Sequence, residues 1–255
     1  MKISLIQMRV EDDKQKNLAH AAELIGSCAG ADVIMLPEMF CCPYGAEFFI
    51  KNAEPEGADV TRALAALAKQ TGVYLIGGSM PEYEDGRIYN TCFVFDPEGR
   101  RIAKHRKAHM FDIDVRGGQR FMESETLTPG GSTTVFDTPF GRFGLCICFD
   151  IRFADFVYSM PDIDFLAVPA AFNMTTGPLH WELLFRARAV DGQMFTFGCA
   201  PARDENSPYI SYGNSIAVSP WGRVIRRAGA REEVLSIEAD RGEAISAREQ
   251  IPIGR

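Results

Sequence analysis

The sequence predicts an α/β fold in which mixed sheets are covered by helices, and three observations carry that prediction. Short, wholly apolar runs, the mark of strands buried on both faces, recur along the 255 residues. Amphipathic segments with apolar positions three and four apart alternate with those runs. Turn residues at Asp96-Pro97-Glu98-Gly99 and Thr138-Pro139-Phe140-Gly141 join neighbouring runs directly, so some of the pairing is antiparallel.

Residues 1–8 open with strand-like alternation, Ile3, Leu5 and Gln7 against Ser4 and Ile6, which leaves no room for a targeting segment. Asp12 or Asp13 caps a helix carrying Leu18, Ala21, Ala22 and Ile25, and Gly30 marks its exit. Residues 33–36 form a buried strand. A second helix begins near Asp59, places Ala63, Leu64, Leu67 and Ala68 on one side, ends near Gly72 and leads into a strand at 73–76. Residues 88–102 read as a hairpin turning at 96–99. Strands follow at 133–136 and 142–149, then a helix over 150–160 stopped by Pro161, then a strand at 165–168. Pro178 opens a long helix with Leu179, Leu183, Ala187 and Val190 on one stripe through Gly192. Strands at 194–199, 214–218 and 234–237 finish the chain. The similar segments Val33-Ile34-Met35-Leu36-Pro37-Glu38 and Phe165-Leu166-Ala167-Val168-Pro169-Ala170 hint at an internal duplication.

No Ser/Gly/Pro-rich linker divides the chain, so residues 1–255 are expected to form one domain. A net charge of −7 without a basic stripe argues against nucleic acid as a partner. No apolar run approaches the roughly 18 residues of a spanning helix, so no membrane contact is expected. Seven cysteines in a chain this long favour reduced thiols and a cytoplasmic location. Gly77-Gly78-Ser79 lacks the phosphate-loop pattern and no dinucleotide fingerprint follows a strand, so no cofactor is expected.

Reactive groups in open α/β folds gather beyond the carboxyl ends of strands, and three polar residues stand abruptly after apolar runs. Cys148 closes the run 142–148 at a strand-to-helix elbow, where amides and the helix dipole favour a thiolate and an oxyanion. Its plainer alternative is a buried core cysteine. Glu38 follows 33–37 as a candidate general base, or else a capping carboxylate. Lys107 ends Lys104-His105-Arg106-Lys107 and can balance the carboxylate or polarise a carbonyl, or else sit in a solvated turn. His105 and His109 with Cys146 and Cys148 make a weak zinc candidate, because Cys-x-Cys on a strand lacks the usual ligand turn.

Three of these segments, Leu36-Pro37-Glu38-Met39-Phe40, His105-Arg106-Lys107 and Ile147-Cys148-Phe149-Asp150, resemble the signatures of the nitrilase, or carbon-nitrogen hydrolase, superfamily. The resemblance implies an α-β-β-α four-layer sandwich and a Glu38, Lys107 and Cys148 triad. It also implies no metal, no cofactor, and a homodimer or higher homo-oligomer. Phe172-Asn173-Met174-Thr175-Thr176-Gly177-Pro178, His180-Trp181-Glu182-Leu183-Leu184 and Pro201-Ala202-Arg203-Asp204, among other stretches, are similar to the omega-amidase branch. That branch implies hydrolysis of the terminal amide of 2-oxoglutaramate or 2-oxosuccinamate to the dicarboxylate and ammonia. The family's second active-site glutamate maps onto Glu123.

On this reading Glu38 takes the thiol proton, Cys148 attacks the carbonyl, and Lys107 with the Phe149 N–H holds the oxyanion. A thioester forms and is then hydrolysed. Arg152, one turn beyond Cys148, is the candidate clamp for the distal carboxylate, with Tyr44, Asn173, Thr175 and Thr176 as hydrogen-bonding candidates. Arg186, Arg188, Glu182, His109 and His180 are read as architectural. The sequence departs from its relatives at Cys146 for Gly, Phe149 for Tyr, Arg116 for Pro and Ala170 for Gly. The alternatives are an amidase acting on deaminated glutathione or an N-carbamoyl compound and, in another class, an inactive oligomeric scaffold.

Overall fold

The computed structural model describes residues 1–253. β1 (Lys2–Gln7) leads to α1 (Lys14–Ser27), whose exposed first amides are satisfied by the Asp13 carboxylate, from Gln15 at 3.0 Å and Lys16 at 3.1 Å. β2 (Val33–Met35), α2 (Ala46–Asn52) and α3 (Asp59–Thr71) follow, and α3 closes on left-handed Gly72. Next come β3 (Tyr74–Ile76), β4 (Met80–Glu84), β5 (Arg87–Phe95), β6 (Arg101–Arg106), and a separate hairpin of β7 (Asp112–Asp114) and β8 (Arg120–Met122). The second half runs β9 (Thr134–Thr138), β10 (Gly141–Leu145), α4 (Ala154–Tyr158), β11 (Phe165–Pro169), α5 (Gly177–Gly192), β12 (Phe195–Cys199), β13 (Ile216–Val218), β14 (Val224–Arg227), β15 (Glu233–Glu238) and α6 (Arg241–Gln250).

One sheet is ordered β15-β1-β2-β3-β5-β4, with β6 also paired to β5, and the other β14-β13-β12-β11-β10-β9. Each contains a parallel trio, β1-β2-β3 and β10-β11-β12, flanked by antiparallel strands, so the expectation of mixed sheets holds. The alternation explains the layers. Ile3, Leu5, Val33 and Met35 point to a core shared with Phe143, Leu145, Phe165 and Phe197 of the opposite sheet. Ile6, Ile34, Leu36 and Leu75 point the other way, onto Leu18, Ala21 and Ile25 of α1 and Val60, Leu64 and Ala68 of α3. Trp181, Phe185 and Ala189 of α5 and Ala244 of α6 cover the second sheet, which completes four layers. The two strand-then-proline segments occupy equivalent places, β2 and β11 each being the middle of a parallel trio. Among the described residues no helix is long and apolar enough to cross a membrane.

Two details correct the sequence reading, and a third fixes the facing of a stripe that it left unplaced. The strand expected over 142–149 stops at Leu145, because Cys148 turns left-handed with φ 47°. The helix expected over 150–160 is instead a 3-10 turn, Cys148–Arg152, and the short α4, broken by extended backbone at Phe153. The stripe Leu179, Leu183 and Val190 on α5 faces outward, with relative exposures of 73%, 64% and 49%. α5 is apolar on two sides, and its larger rings, Trp181 and Phe185, take the core.

Candidate active site

The carboxyl ends of β2, β6 and β10 bring Glu38, Lys107 and Cys148 together, and the 3-10 turn after β8, Glu123–Glu125, adds Glu123. Strand exits carry these groups because side chains there leave the ladder yet stay between the sheets, out of water. Glu38 and Lys107 have no measurable exposure, Glu123 has 1% and Cys148 3%. Close backbone approach fixes the exits. A Cβ on Gly78 (φ +61°) would collide with the Pro37 carbonyl and one on Gly130 with the Arg106 carbonyl, so glycine is required behind both Glu38 and Lys107.

Lys107 Nζ lies 3.1 Å from Glu38 Oε1, 2.9 and 2.8 Å from the two oxygens of Glu123, and donates to the Tyr44 hydroxyl at 3.2 Å. The Tyr44 hydroxyl donates to Glu123 Oε1 at 2.8 Å, and Asn90 Nδ2 donates to Glu38 Oε1 at 2.8 Å. The Ala171 amide, just past β11, donates to Glu38 Oε2 at 2.7 Å, and the Phe111 amide to Glu123 Oε2 at 2.7 Å. The Cys148 thiol interacts with both the Glu38 carboxylate and the Ala171 amide. The equivalent ends of β2 and β11 thus meet at Glu38.

Burial pushes the Glu38 carboxyl above the usual carboxylate range, and Lys107 pulls it back only in part. Burial works against the Lys107 ammonium, but the Glu123 and Glu38 charges outweigh it and hold the amine protonated well past its ordinary range. Burial, then the Glu38 charge, push the Cys148 thiol well above 9. Both causes oppose the thiolate that the elbow's amides and dipole favour and keep on the sulfur the proton that Glu38 is expected to take. The turn after Cys148 is five residues of 3-10 helix, too short a dipole to offset the burial. Passing the proton from Cys148 to Glu38 leaves the net charge of the cluster unchanged, which suits a dry site.

Asp150 was quoted with the third signature segment but given no role by the sequence reading. Fully buried, its Oδ1 accepts from the Ala108 and His109 amides at 3.1 and 2.9 Å and pairs with His109 Nδ1 at 2.8 Å. Its Oδ2 accepts from the Ile147 amide at 3.0 Å and pairs with His105 Nε2 at 3.1 Å. The carboxylate thus ties the residues after Lys107 to the residue before Cys148. Both histidines of the weak zinc candidate are engaged here. Asn90 and Tyr209 were also missed. Tyr209 stacks on Tyr44 at 4.5 Å between ring centroids and donates to the Ala171 carbonyl. A signal existed for Asn90, a lone amide inside the apolar run of β5.

Of the candidate substrate contacts, Tyr44 sits inside the charged cluster itself. Arg152 lies over the Phe149 and Phe172 rings, at 5.4 and 5.2 Å, and its Nη2 donates to His180 Nδ1 at 3.1 Å. No carboxylate among the described residues pairs with it, and its Nε is buried without a partner. Asn173 and Thr176 engage each other at the start of α5: Asn173 Oδ1 accepts from the Thr176 amide and hydroxyl, both at 3.0 Å, and Asn173 Nδ2 donates to Gln119 at 2.6 Å. The half-buried Thr175 follows in the same loop. Arg188 of α5 donates to the Ile151 and Arg152 carbonyls at 2.9 and 3.1 Å and so braces the turn that carries Cys148.

A buried thiol lies beside a carboxylate, with an ammonium and a second carboxylate in contact, and residues 2–249 match the carbon-nitrogen hydrolase family, to which the chain belongs. It is similar to Omega-amidase NIT2-A of Xenopus laevis, at 51% identity over 100% of this chain and 94% of that one. Omega-amidase NIT2 of Homo sapiens is 45% identical over the same shares. Among solved structures, Saccharomyces cerevisiae Nit3, described as a member of branch 10 of the nitrilase superfamily, superposes with a TM-score of 0.92. It is 36% identical, over 100% of this chain and 95% of that one.

Proposed function

We propose that the chain is an omega-amidase that hydrolyses the terminal amide of a small 2-oxo acid amide, 2-oxoglutaramate or 2-oxosuccinamate, through a thioester on Cys148. The observation that carries this reading is the buried contact of Glu38, Lys107 and Glu123 around Cys148, in a chain 45–51% identical over nearly full length to proteins named omega-amidase. Glu38 takes the thiol proton as sulfur attacks the carbonyl carbon, then gives it to the leaving nitrogen. Lys107 and the Phe149 N–H receive the charge that develops on oxygen. Water, deprotonated by Glu38, cleaves the thioester. Glu123 and Tyr44 hold Lys107 in place, and no cofactor or metal takes part.

Arg152 receives the distal carboxylate, because a guanidinium with an unpartnered buried donor and no acidic partner among the described residues calls for an anion. Asn173, Thr175 and Thr176 shape the wall beside it. Arg152→Gln is expected to lower kcat/KM for 2-oxoglutaramate about 10- to 100-fold, the worth of a charged hydrogen bond. It should lower much less the activity on an uncharged short amide. Ammonia release from 2-oxoglutaramate, 2-oxosuccinamate, deaminated glutathione and an N-carbamoyl amino acid, compared by kcat/KM, tests the substrate class. Preference for either of the last two would replace this reading.

The working unit is residues 1–255 acting as one catalytic domain in the cytoplasm, a reading supported by the seven buried free thiols and by a site built from both sheets. It assembles as a homodimer or larger homo-oligomer, supported by the outward stripe Leu179, Leu183 and Val190. Leu183→Glu is expected to lower the mass measured by light scattering to that of one chain. A native protein already of single-chain mass would end the proposal.

A further inference from the structure

A narrow cleft of about 40 Å³ runs between the segment after β2 and the loop after β12 and ends on Glu38 and Ala171. Its walls are Met39 and Cys42 on one side and Pro201 and Ala202 on the other, with Tyr44 and Tyr209 beside its inner end. That volume holds about two or three waters and is far too small for an organic amide. Across the stacked Tyr44–Tyr209 pair a wider cleft of about 450 Å³ opens along Phe48, Gln119 and Phe121, so the narrow one is not the sole approach to this wall. Neither Arg152 nor Phe149 lines the narrow cleft.

The reaction makes unequal demands on access. In acylation the S–C bond forms, the C–N bond breaks, and ammonia departs with the proton that Glu38 took from the thiol. In deacylation water forms the new C–O bond, its proton passes through Glu38 to the sulfur, and the C–S bond breaks. Between the two steps the acyl chain covers Cys148 while ammonia must leave and water must arrive, both at Glu38. Three donors or hydroxyls, from Asn90, Lys107 and Tyr44, crowd Glu38 Oε1, whereas Oε2 carries the Ala171 amide, the other group at the end of the cleft.

We propose that this cleft is a separate port for the hydrolytic water, admitting it to Glu38 past Ala202 while the acyl group remains in place. The inference rests on the amidase reading above and adds a route to it. Ala202 is buried, lines the cleft and is not one of the charged groups, so Ala202→Leu fills the cleft while leaving each reacting group in the sequence.

With 2-oxoglutaramate, the variant is expected to keep kcat/KM, which reports acylation, and to lose about tenfold in kcat. The acyl-enzyme should build up on Cys148, seen by intact-protein mass spectrometry in the steady state. Ser207→Phe, at the half-buried outer part of the cleft, should reproduce the effect if the first variant folds poorly, and Ala202→Gly should behave as native. Unchanged kcat with no accumulated adduct in a folded filled variant overturns the port. So does a parallel fall in kcat/KM, which would make the cleft the organic substrate's own path. A native protein that frees no ammonia from any amide of the panel overturns the amidase reading itself, an outcome distinct from both.

Discussion

Cys148→Ala is expected to release ammonia from 2-oxoglutaramate at least about 10⁴-fold more slowly than the native protein, because removing the nucleophile of a cooperating set costs nearly the whole rate enhancement. The fold should survive. Alanine replaces a single buried sulfur and tolerates the left-handed backbone no worse than cysteine does, so the thermal midpoint should move by only a few degrees. The same assay on Glu38→Gln separates nucleophile from base. The thiol is neutral at rest, held well above 9 by burial and by the Glu38 charge, so without the carboxylate nothing nearby accepts its proton. Native protein should therefore acquire an acyl adduct on Cys148, Glu38→Gln should acquire it far more slowly, and Cys148→Ala not at all. Equal ammonia release from native and Cys148→Ala protein would remove the assigned nucleophile.

The sign of the pH dependence follows. Glu38 must be ionised to receive the proton, and burial raises its pKa above 4.5, so kcat/KM should fall on acidification at a higher pH than an ordinary carboxylate would give. No alkaline gain from a freely ionised thiol is expected below pH 9.

The parts of this arrangement differ in how far they are visible in the residues alone. Glu38 and Cys148 are legible because each closes an apolar run abruptly, whereas Lys107 follows the basic, half-exposed β6 and stands out only through the resemblance of its segment to the family signature. The thiol's protonation was not legible, since helix-dipole reasoning sees the turn after Cys148 but not the burial around it. α6 escaped notice because it buries little beyond Ala244 and Ala247, too small a stripe to set a period. The β7–β8 hairpin escaped because each strand is three residues long, too short for an alternation such as Asp112-Ile113-Asp114 to stand out. The α5 stripe is legible but not which way it faces, for periodicity finds an apolar face without saying what covers it. The resemblance between residues 33–38 and 165–170 is positional: one segment ends on Glu38 and the other one residue before the Ala171 amide that holds it.

Asp150→Asn is expected to lose both stability and turnover, although Asp150 touches no substrate. Its two oxygens face five donors or ring nitrogens within 3.1 Å. An asparagine, whichever way it is turned, points an NH2 group at two or three of them. Each buried donor left unpaired costs about 1–3 kcal/mol. The carboxylate's own charge adds to this. Burial opposes ionisation, but the hydrogen bonds from His105 and His109 outweigh it and hold the pKa at about 2, below the ordinary 3.8. A pKa lowered on folding contributes stability that is full above the unfolded value, near pH 4, and is lost as pH falls through about 2; the shift is worth about 2 kcal/mol. The gap in unfolding free energy from urea titration between native and Asp150→Asn protein should therefore be widest near neutrality and narrow by about that amount towards pH 2. Turnover should suffer through geometry, because Asp150 sets the spacing between the segment carrying Lys107 and the elbow carrying Cys148. A displacement of about 1 Å there costs on the order of 100-fold in kcat. KM should change little, since the Arg152 side of the site is anchored separately by Arg188 and His180. A loss of kcat without slower acyl-adduct formation, or a variant of native stability at pH 7, would show that the two segments are held by something other than this carboxylate.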